Sequence, residues 1–314
     1  MSLSNKLPKG KAGGYLALSA TSVLWGTTWV ASKVAVSENL PPFQMASIRQ
    51  FLGGVCFVGF FMLYKKMPLP TPKQFGWLVL LSLLMFVMAN GLSTWSLKYI
   101  PTGFSALIGA LYPFSVVIIE RIFFNKRNLT TLTVAGLLLG LAGIGIVFYE
   151  NLFHHQASGF LFGVALSALA MLSWSGGTMF IARSKLTIDP YYAVGWQMLI
   201  SSAILFIISL TTQTVIPLQQ VSLKIWLSIL YLVGFGSIIS FVAFIYSMKK
   251  LPAAISSLYA YINPLVAMVT AAIVVKEKLT INILWGALVT LAGVFLVNYS
   301  IRRSSAEIIA EPEQ

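Results

Sequence analysis

The chain has 314 residues, of which 58% are hydrophobic and 9% charged, and its mean hydropathy is +0.85. Soluble domains carry about 25% charged residues, so this composition excludes an ordinary water-soluble core. The net charge of +13 does not point to nucleic acid, because Lys and Arg stand between apolar runs rather than along one polar face, as basic residues flanking membrane spans do.

Residues 1–13 are basic but polar and read as a cytoplasmic N-terminal tail. A membrane span needs about 20 mostly apolar residues. Ten such runs follow, at about 14–36, 42–64, 75–97, 101–122, 130–149, 159–182, 190–210, 225–248, 252–275 and 280–300. Pro41-Pro42, Pro101, Asp189-Pro190 and Pro252 open spans, which suits a first helical turn whose N–H groups have no partner. Asp189 is also a candidate N-cap. Residues 301–314 form a second cytoplasmic tail. The expected fold is therefore an all-α membrane protein of ten transmembrane helices, in contact with the lipid bilayer.

Two stretches nearly repeat. SLKYIPTGFSALIGALYP (96–113) aligns without a gap on SMKKLPAAISSLYAYINP (247–264), and Gly136 and Gly143 correspond to Gly286 and Gly293. A period of half the chain divides it into a first repeat at 14–150 and a second at 151–300, each of five spans. Placing the N-terminus inside puts 15 of the 21 Lys and Arg on that side, which orients both termini to the cytoplasm. Five is odd, so the second repeat runs through the membrane in the opposite sense, giving an inverted 5+5 repeat of the kind that underlies alternating access.

Several polar and aromatic residues sit within the spans. Trp25, Thr28 and Ser32 share one face of the first, and the repeat gives Trp174, Gly177 and Thr178 as counterparts in the sixth. Asn90, Thr94 and Trp95 occupy the outer half of the third. Tyr112 precedes Pro113 as Asn263 precedes Pro264, Tyr259 lies one turn before Asn263, and Ser237 and Phe241 share a face of the eighth. An amide in lipid needs a hydrogen-bond partner, so Asn90 and Asn263 are expected to face the bundle. These residues form a candidate substrate cavity with aromatic walls; the alternative is plain helix–helix packing. Pro113 and Pro264 are candidate hinges, since proline removes one helical bond and kinks the axis.

Charge within the spans is scarce. Glu120 is the one acid inside a span, near the cytoplasmic edge, and no carboxylate sits at the midplane, where proton-coupled carriers place Asp, Glu or His. Lys33 and Arg49, near the outer ends of their spans, are candidate charge or gate residues. They could snorkel to water, pair with Glu38, or meet a substrate carboxylate. His154 and His155 read as a solvated pair in an outer loop, so no metal and no cofactor is expected. Cys56 is the single cysteine, which excludes a disulfide within the chain. The ladder Gly136, Gly140, Gly143 with Gly286 and Gly293 is a close-packing face, for intramolecular packing or for a homodimer; both a monomer and a homodimer stay open.

LWGTTWVASKVAV (24–36) with PPFQMASIRQF (41–51), and LYAYINPLVAMVTAAIVVKEKLT (258–280) with WGALVTLAGVFLV (285–297), resemble the first two and last two spans of the EamA branch of the drug/metabolite transporter superfamily. MANGLSTWSLKYIPTGFSAL (88–107) and GFGSIISFVAFIY (234–246) resemble its bacterial inner-membrane amino-acid and metabolite exporters. The resemblance implies ten helices, an inverted repeat, a cavity between the halves and a small-molecule substrate. The family's Glu-containing turn is kept as Lys276-Glu277-Lys278, while the first-half counterpart, Asn125-Lys126-Arg127, has no acid. The expected function is secondary transport, with export of amino acids or amphipathic metabolites across the inner or plasma membrane. A membrane enzyme would need a cluster of reactive side chains, and a channel a repeated polar ring. Neither pattern is present, and no phosphate-binding loop marks an ATPase.

Overall fold

The computed structural model describes residues 12–124, 130–154, 158–183, 187–212, 214–251, 255 and 258–310. Some side chains beside the breaks, that of Glu120 included, fall outside the described set, as do His155, Pro252 and the 125–127 turn. The described residues form helices and connecting turns, with no strand among them. In chain order they are α1 (Ala12–Ser37), α2 (Pro42–Tyr64), α3 (Pro72–Ser96), α4 (Thr102–Ala110), α5 (Tyr112–Phe124), α6 (Thr131–His154), α7 (Phe160–Arg183), α8 (Pro190–Thr211), α9 (Leu223–Lys250), α10 (Tyr259–Val274) and α11 (Ile281–Ala310). Eight helical stretches are long and apolar enough to cross a membrane: α2, α3, Thr102–Ile119, α6, α7, α8, α9 and α11. Helix α10 is a shorter apolar helix. Helix α1 has 26 residues but is more polar, with Thr21, Ser22, Thr28 and Ser32 all buried in the bundle.

Local chemistry sets the helix starts. Pro42, Pro72 and Pro190 occupy first turns. Thr71 and Gln74 form a capping box, in which Thr71 N–H donates to Gln74 Oε1 at 2.8 Å and Gln74 N–H to Thr71 Oγ1 at 3.3 Å. Asp189 Oδ1 accepts the N–H groups of Tyr191 and Tyr192 at 2.9 and 3.2 Å, as its N-cap position requires.

The two candidate hinge prolines behave differently. The expected 101–122 span is not one helix: it breaks at Leu111 (φ −75°, ψ 1°), two residues before Pro113, because Pro113 has no N–H to offer the carbonyl four residues back. Pro264 instead sits within an unbroken α10. At the other end of the chain, α11 continues to Ala310, so the described part of the segment past Ser300 is helical.

Three helices also loosen to π geometry, at Phe60–Tyr64 in α2, Leu83–Gly91 in α3 and Leu232–Ile239 in α9. Helices α3 and α9 are the segments expected as the third spans of the two halves, and their π stretches fall at corresponding sequence positions. Such stretches are frequent at functional sites.

Two long seams join the halves. Along α2 and α8, Ser47 Oγ donates to Ser202 O at 2.9 Å, and the glycines at 54 and 195 bring the backbones against Leu199 and Phe57. Residue numbers rise on α2 as they fall on α8, so the pair is antiparallel. Along α6 and α11 the approach is closer still. A Cβ on Gly143 would lie 2.4 Å from Thr290 N, and one on Gly293 only 2.3 Å from Gly140 N. Only glycine permits that contact. This seam is antiparallel too, and the glycine ladder is used within one chain.

Candidate functional site

A cavity of about 190 Å³ is lined by residues of α1, α2, α3, α4, α5, α7, α9 and α10. Trp25, Thr28, Asn90, Thr94, Tyr112, Trp174, Phe241, Tyr259, Asn263 and Pro264 all line it, as does Arg49. The other expected residues lie elsewhere. Trp95 turns away from the cavity, packing edge-on against Phe43 and Phe162 with centroids 5.2 Å distant in both cases. Thr178 returns its hydroxyl to the Ser175 carbonyl of its own helix at 2.8 Å. Pro113 stands behind Tyr112 in the broken turn, outside the lining.

The aromatic wall starts from Trp25 near the middle of α1. Its ring meets Phe241, Phe244 and Tyr259 at centroid distances of 5.2, 5.1 and 5.3 Å. Its Nε1–H donates to Gly236 O at 3.1 Å. That carbonyl is available because the π stretch of α9 perturbs the ordinary i to i−4 pattern there. One turn further, Trp29 Nε1–H donates to Asn263 Oδ1 at 3.1 Å. Asn263 immediately precedes Pro264, so α1 is tied to α10 at its proline. Helix α1 approaches this point without hindrance because residue 26 is glycine: a Cβ there would lie 2.5 Å from Val266 Cβ.

The polar side of the cavity comes from α2, α3 and α9. Arg49 is only 6% exposed, and its Nε–H donates to Ser237 Oγ at 3.0 Å. Asn90 Oδ1 is buried and has no hydrogen-bond partner. Asn90 and Ser237 belong to the two matching π stretches. Hydroxyl contacts behind the cavity hold the frame: Ser105 Oγ lies 3.0 Å from both Ser96 Oγ and Ser167 Oγ, and Ser115 contacts Ser175.

The structure corrects two of the alternatives for the cations. Arg49 neither snorkels to water nor pairs with Glu38, which bonds Lys224 Nζ at 2.6 Å; seven residues into α2, it is enclosed by α9 before it reaches the surface. Lys33 does not reach the cavity. Its Nζ donates to the Leu97 and Ile100 carbonyls at 2.5 and 3.4 Å, satisfying orphan groups where α3 ends. Glu120 lies on α5, with its side chain outside the described residues.

Sequence reasoning passed over Trp29, Ser93 and Ser167, which also line the cavity. Trp29 was accessible to it, standing one turn after Trp25 on the same face. Ser93 and Ser167 carry no distinguishing signal among many serines.

A bundle of membrane-crossing helices around a small cavity, walled by aromatic rings and floored by a few amide, hydroxyl and guanidinium groups, is the architecture of a solute carrier. Among the described residues no group of three His, Cys, Asp or Glu is placed to hold a metal ion. The chain belongs to the EamA-like transporter family, which matches it over residues 12–149 and again over 161–299. It is similar to an uncharacterized transporter of Bacillus subtilis, YoaV, at 25% identity over 92% of this chain and 97% of that one. It is similar to an uncharacterized inner membrane transporter of Escherichia coli, YedA, at 30% identity over 80% and 79% of the two chains. A solved crystal structure shares the fold with a TM-score of 0.63 at 18% identity, covering 93% of this chain and 99% of that one. The protein is thus a multi-pass membrane transporter and not an enzyme.

Proposed function

We propose that this transporter is a secondary exporter of small organic metabolites, such as amino acids or amphipathic compounds, in the inner or plasma membrane. In this reading residues 14–150 and 151–300 are inverted repeats of five crossings each, both termini are cytoplasmic, and access alternates as one repeat moves against the other. Helices α1 and α10 complete ten crossings in this reading.

The observation that carries the reading is that helices of both halves line one small cavity. Three more support it. The family matches the chain twice, once in each half. The second crossings of the two halves (α2, α8) and the fifth (α6, α11) pack against each other antiparallel, as inversion demands. The third crossings carry matching π stretches. The outward direction rests on the likeness of the central segments to inner-membrane exporters. The volume, below the roughly 300–1,000 Å³ of sites for drug-sized ligands, suits a small solute.

The test is counterflow of labelled amino acids and small amphipathic cations in liposomes containing the purified chain. Saturable counterflow is expected; flux that stays linear with concentration would instead indicate a pore. Orientation is checked in a Cys56→Ser background by single cysteines at Lys73 and Lys276. An impermeant thiol reagent applied to the periplasmic face should label the second and not the first.

A further inference from the structure

We infer, building on the transporter reading, that Arg49 is the anion-binding subsite of the central cavity and that the cargo is a small organic monocarboxylate. Among the described residues Arg49 is the sole Lys or Arg lining the cavity, and no described Asp or Glu lines it. A buried cation ordinarily has a counter-ion, because desolvating it without one is costly. Here the acid nearest in sequence, Glu38, is engaged with Lys224. The side chain is nonetheless held in place rather than loose: Ser237 Oγ takes its Nε–H at 3.0 Å. Beside it the backbone of α9 is cut back. A Cβ on residue 236 would come within 3.2 Å of Arg49 Nη2, and glycine stands there. With Nε committed to Ser237, the terminal nitrogens remain as a planar fork, the geometry that matches a carboxylate.

The rest of the cavity complements such a cargo. Asn90 Oδ1, buried and unpartnered, is an acceptor for a donor carried next to the carboxylate, an ammonium or a hydroxyl. Trp25, Phe241 and Tyr259 offer the apolar remainder a ring surface. One fixed positive charge matches one negative charge, which favours a carboxylate over the dianion of a phosphate monoester. The cargo itself then supplies the carboxylate that the protein lacks.

The experiment is calorimetric titration of the full-length protein in lipid nanodiscs with matched ligands: alanine and alaninamide, 3-phenylpropionate and 3-phenylpropionamide, phenyl phosphate and choline. Each carboxylate is expected to bind at least tenfold more tightly than its amide. Arg49→Gln should erase that preference, and Arg49→Lys should keep part of it. Should Arg49→Gln fail to fold, Ser237→Ala retains the charge and frees Nε; it should weaken carboxylates severalfold and leave the amides unchanged. Equal binding of acids and amides, tighter binding of phenyl phosphate, or an undiminished preference in Arg49→Gln would overturn the assignment. Saturable counterflow of choline without a carboxylate preference removes this inference and leaves the transporter reading intact. An Arg49-dependent carboxylate preference without saturable flux does the reverse.

Discussion

The carboxylate of Glu277, in the turn between α10 and α11, caps the first turn of α4: its Oε1 accepts the Thr102 backbone N–H at 2.8 Å and the Thr102 hydroxyl at 2.6 Å. Gly103 N–H approaches the second oxygen at 3.4 Å. An anion at a helix N-terminus satisfies orphan donors and meets the positive end of the helix dipole. Lys33 lies within electrostatic reach of the same carboxylate while holding the end of α3. One acid thus ties the turn between α10 and α11 to the start of α4. Glu277→Ala should destabilise the purified protein by about 1–2 kcal/mol, the range for a lost cap or charged hydrogen bond. Glu277→Gln, which keeps an acceptor, should cost less. Thermal unfolding in detergent reads both.

Helices α6 and α11 touch backbone to backbone, so an added methyl group there meets atoms that no side-chain rotation can move. Gly293→Ala should cost at least the ~1–3 kcal/mol typical of overpacking. Gly145, on the same α6, has nothing within 4 Å of its would-be Cβ, and Gly145→Ala should be close to neutral. Comparable melting losses in both variants would mean that the seam is not packed as described.

Trp25 does two things, walling the cavity and holding the Gly236 carbonyl of the α9 π stretch. Trp25→Phe keeps an aromatic ring and loses the hydrogen bond, at a stability cost near the ~0.5–1.5 kcal/mol of a single such bond. Because Gly236 adjoins Ser237, and Ser237 positions Arg49, the transport KM should rise severalfold while the protein remains folded. Initial rates in liposomes against cargo concentration provide the check.

Pro264→Ala supplies an N–H that can pair with the Ala260 carbonyl and straighten α10. The expected outcome is slower counterflow with little change in equilibrium binding, since Asn263 keeps its bond from Trp29. Pro113→Ala should have the smaller effect on rate, because it lies beside a break already made at Leu111.

Much of the architecture was legible because membrane crossing imposes length and apolarity on each segment, and prolines mark the starts. The proline pair itself was legible; its divergent outcome was not. Whether proline bends a helix or ends it depends on whether neighbouring residues leave the helical region, as Leu111 does before Pro113 and the residues around Pro264 do not. The cavity was largely legible in α1, α9 and α10, where polar and aromatic residues recur at helical spacing. Trp95 misled because it adjoins Thr94, which lines the cavity, yet one step along a helix turns a side chain by about 100°. Thr178, expected as a repeat counterpart one turn after Trp174, instead bonds the Ser175 carbonyl of its own helix. The π stretches of α3 and α9 had no sequence signal.

The glycine seam also bears on how the halves can move. Helices α6 and α11 belong to opposite halves, yet their main chains interlock through Gly136, Gly140, Gly143 and Gly293, so a slide of even one turn would drive Val297 or Thr290 into bare backbone. The two helices therefore behave as one post shared by both repeats. Under the proposed alternation of access, opening and closing would be a swivel of the cavity-lining helices about that post, which itself contributes no described residue to the cavity lining.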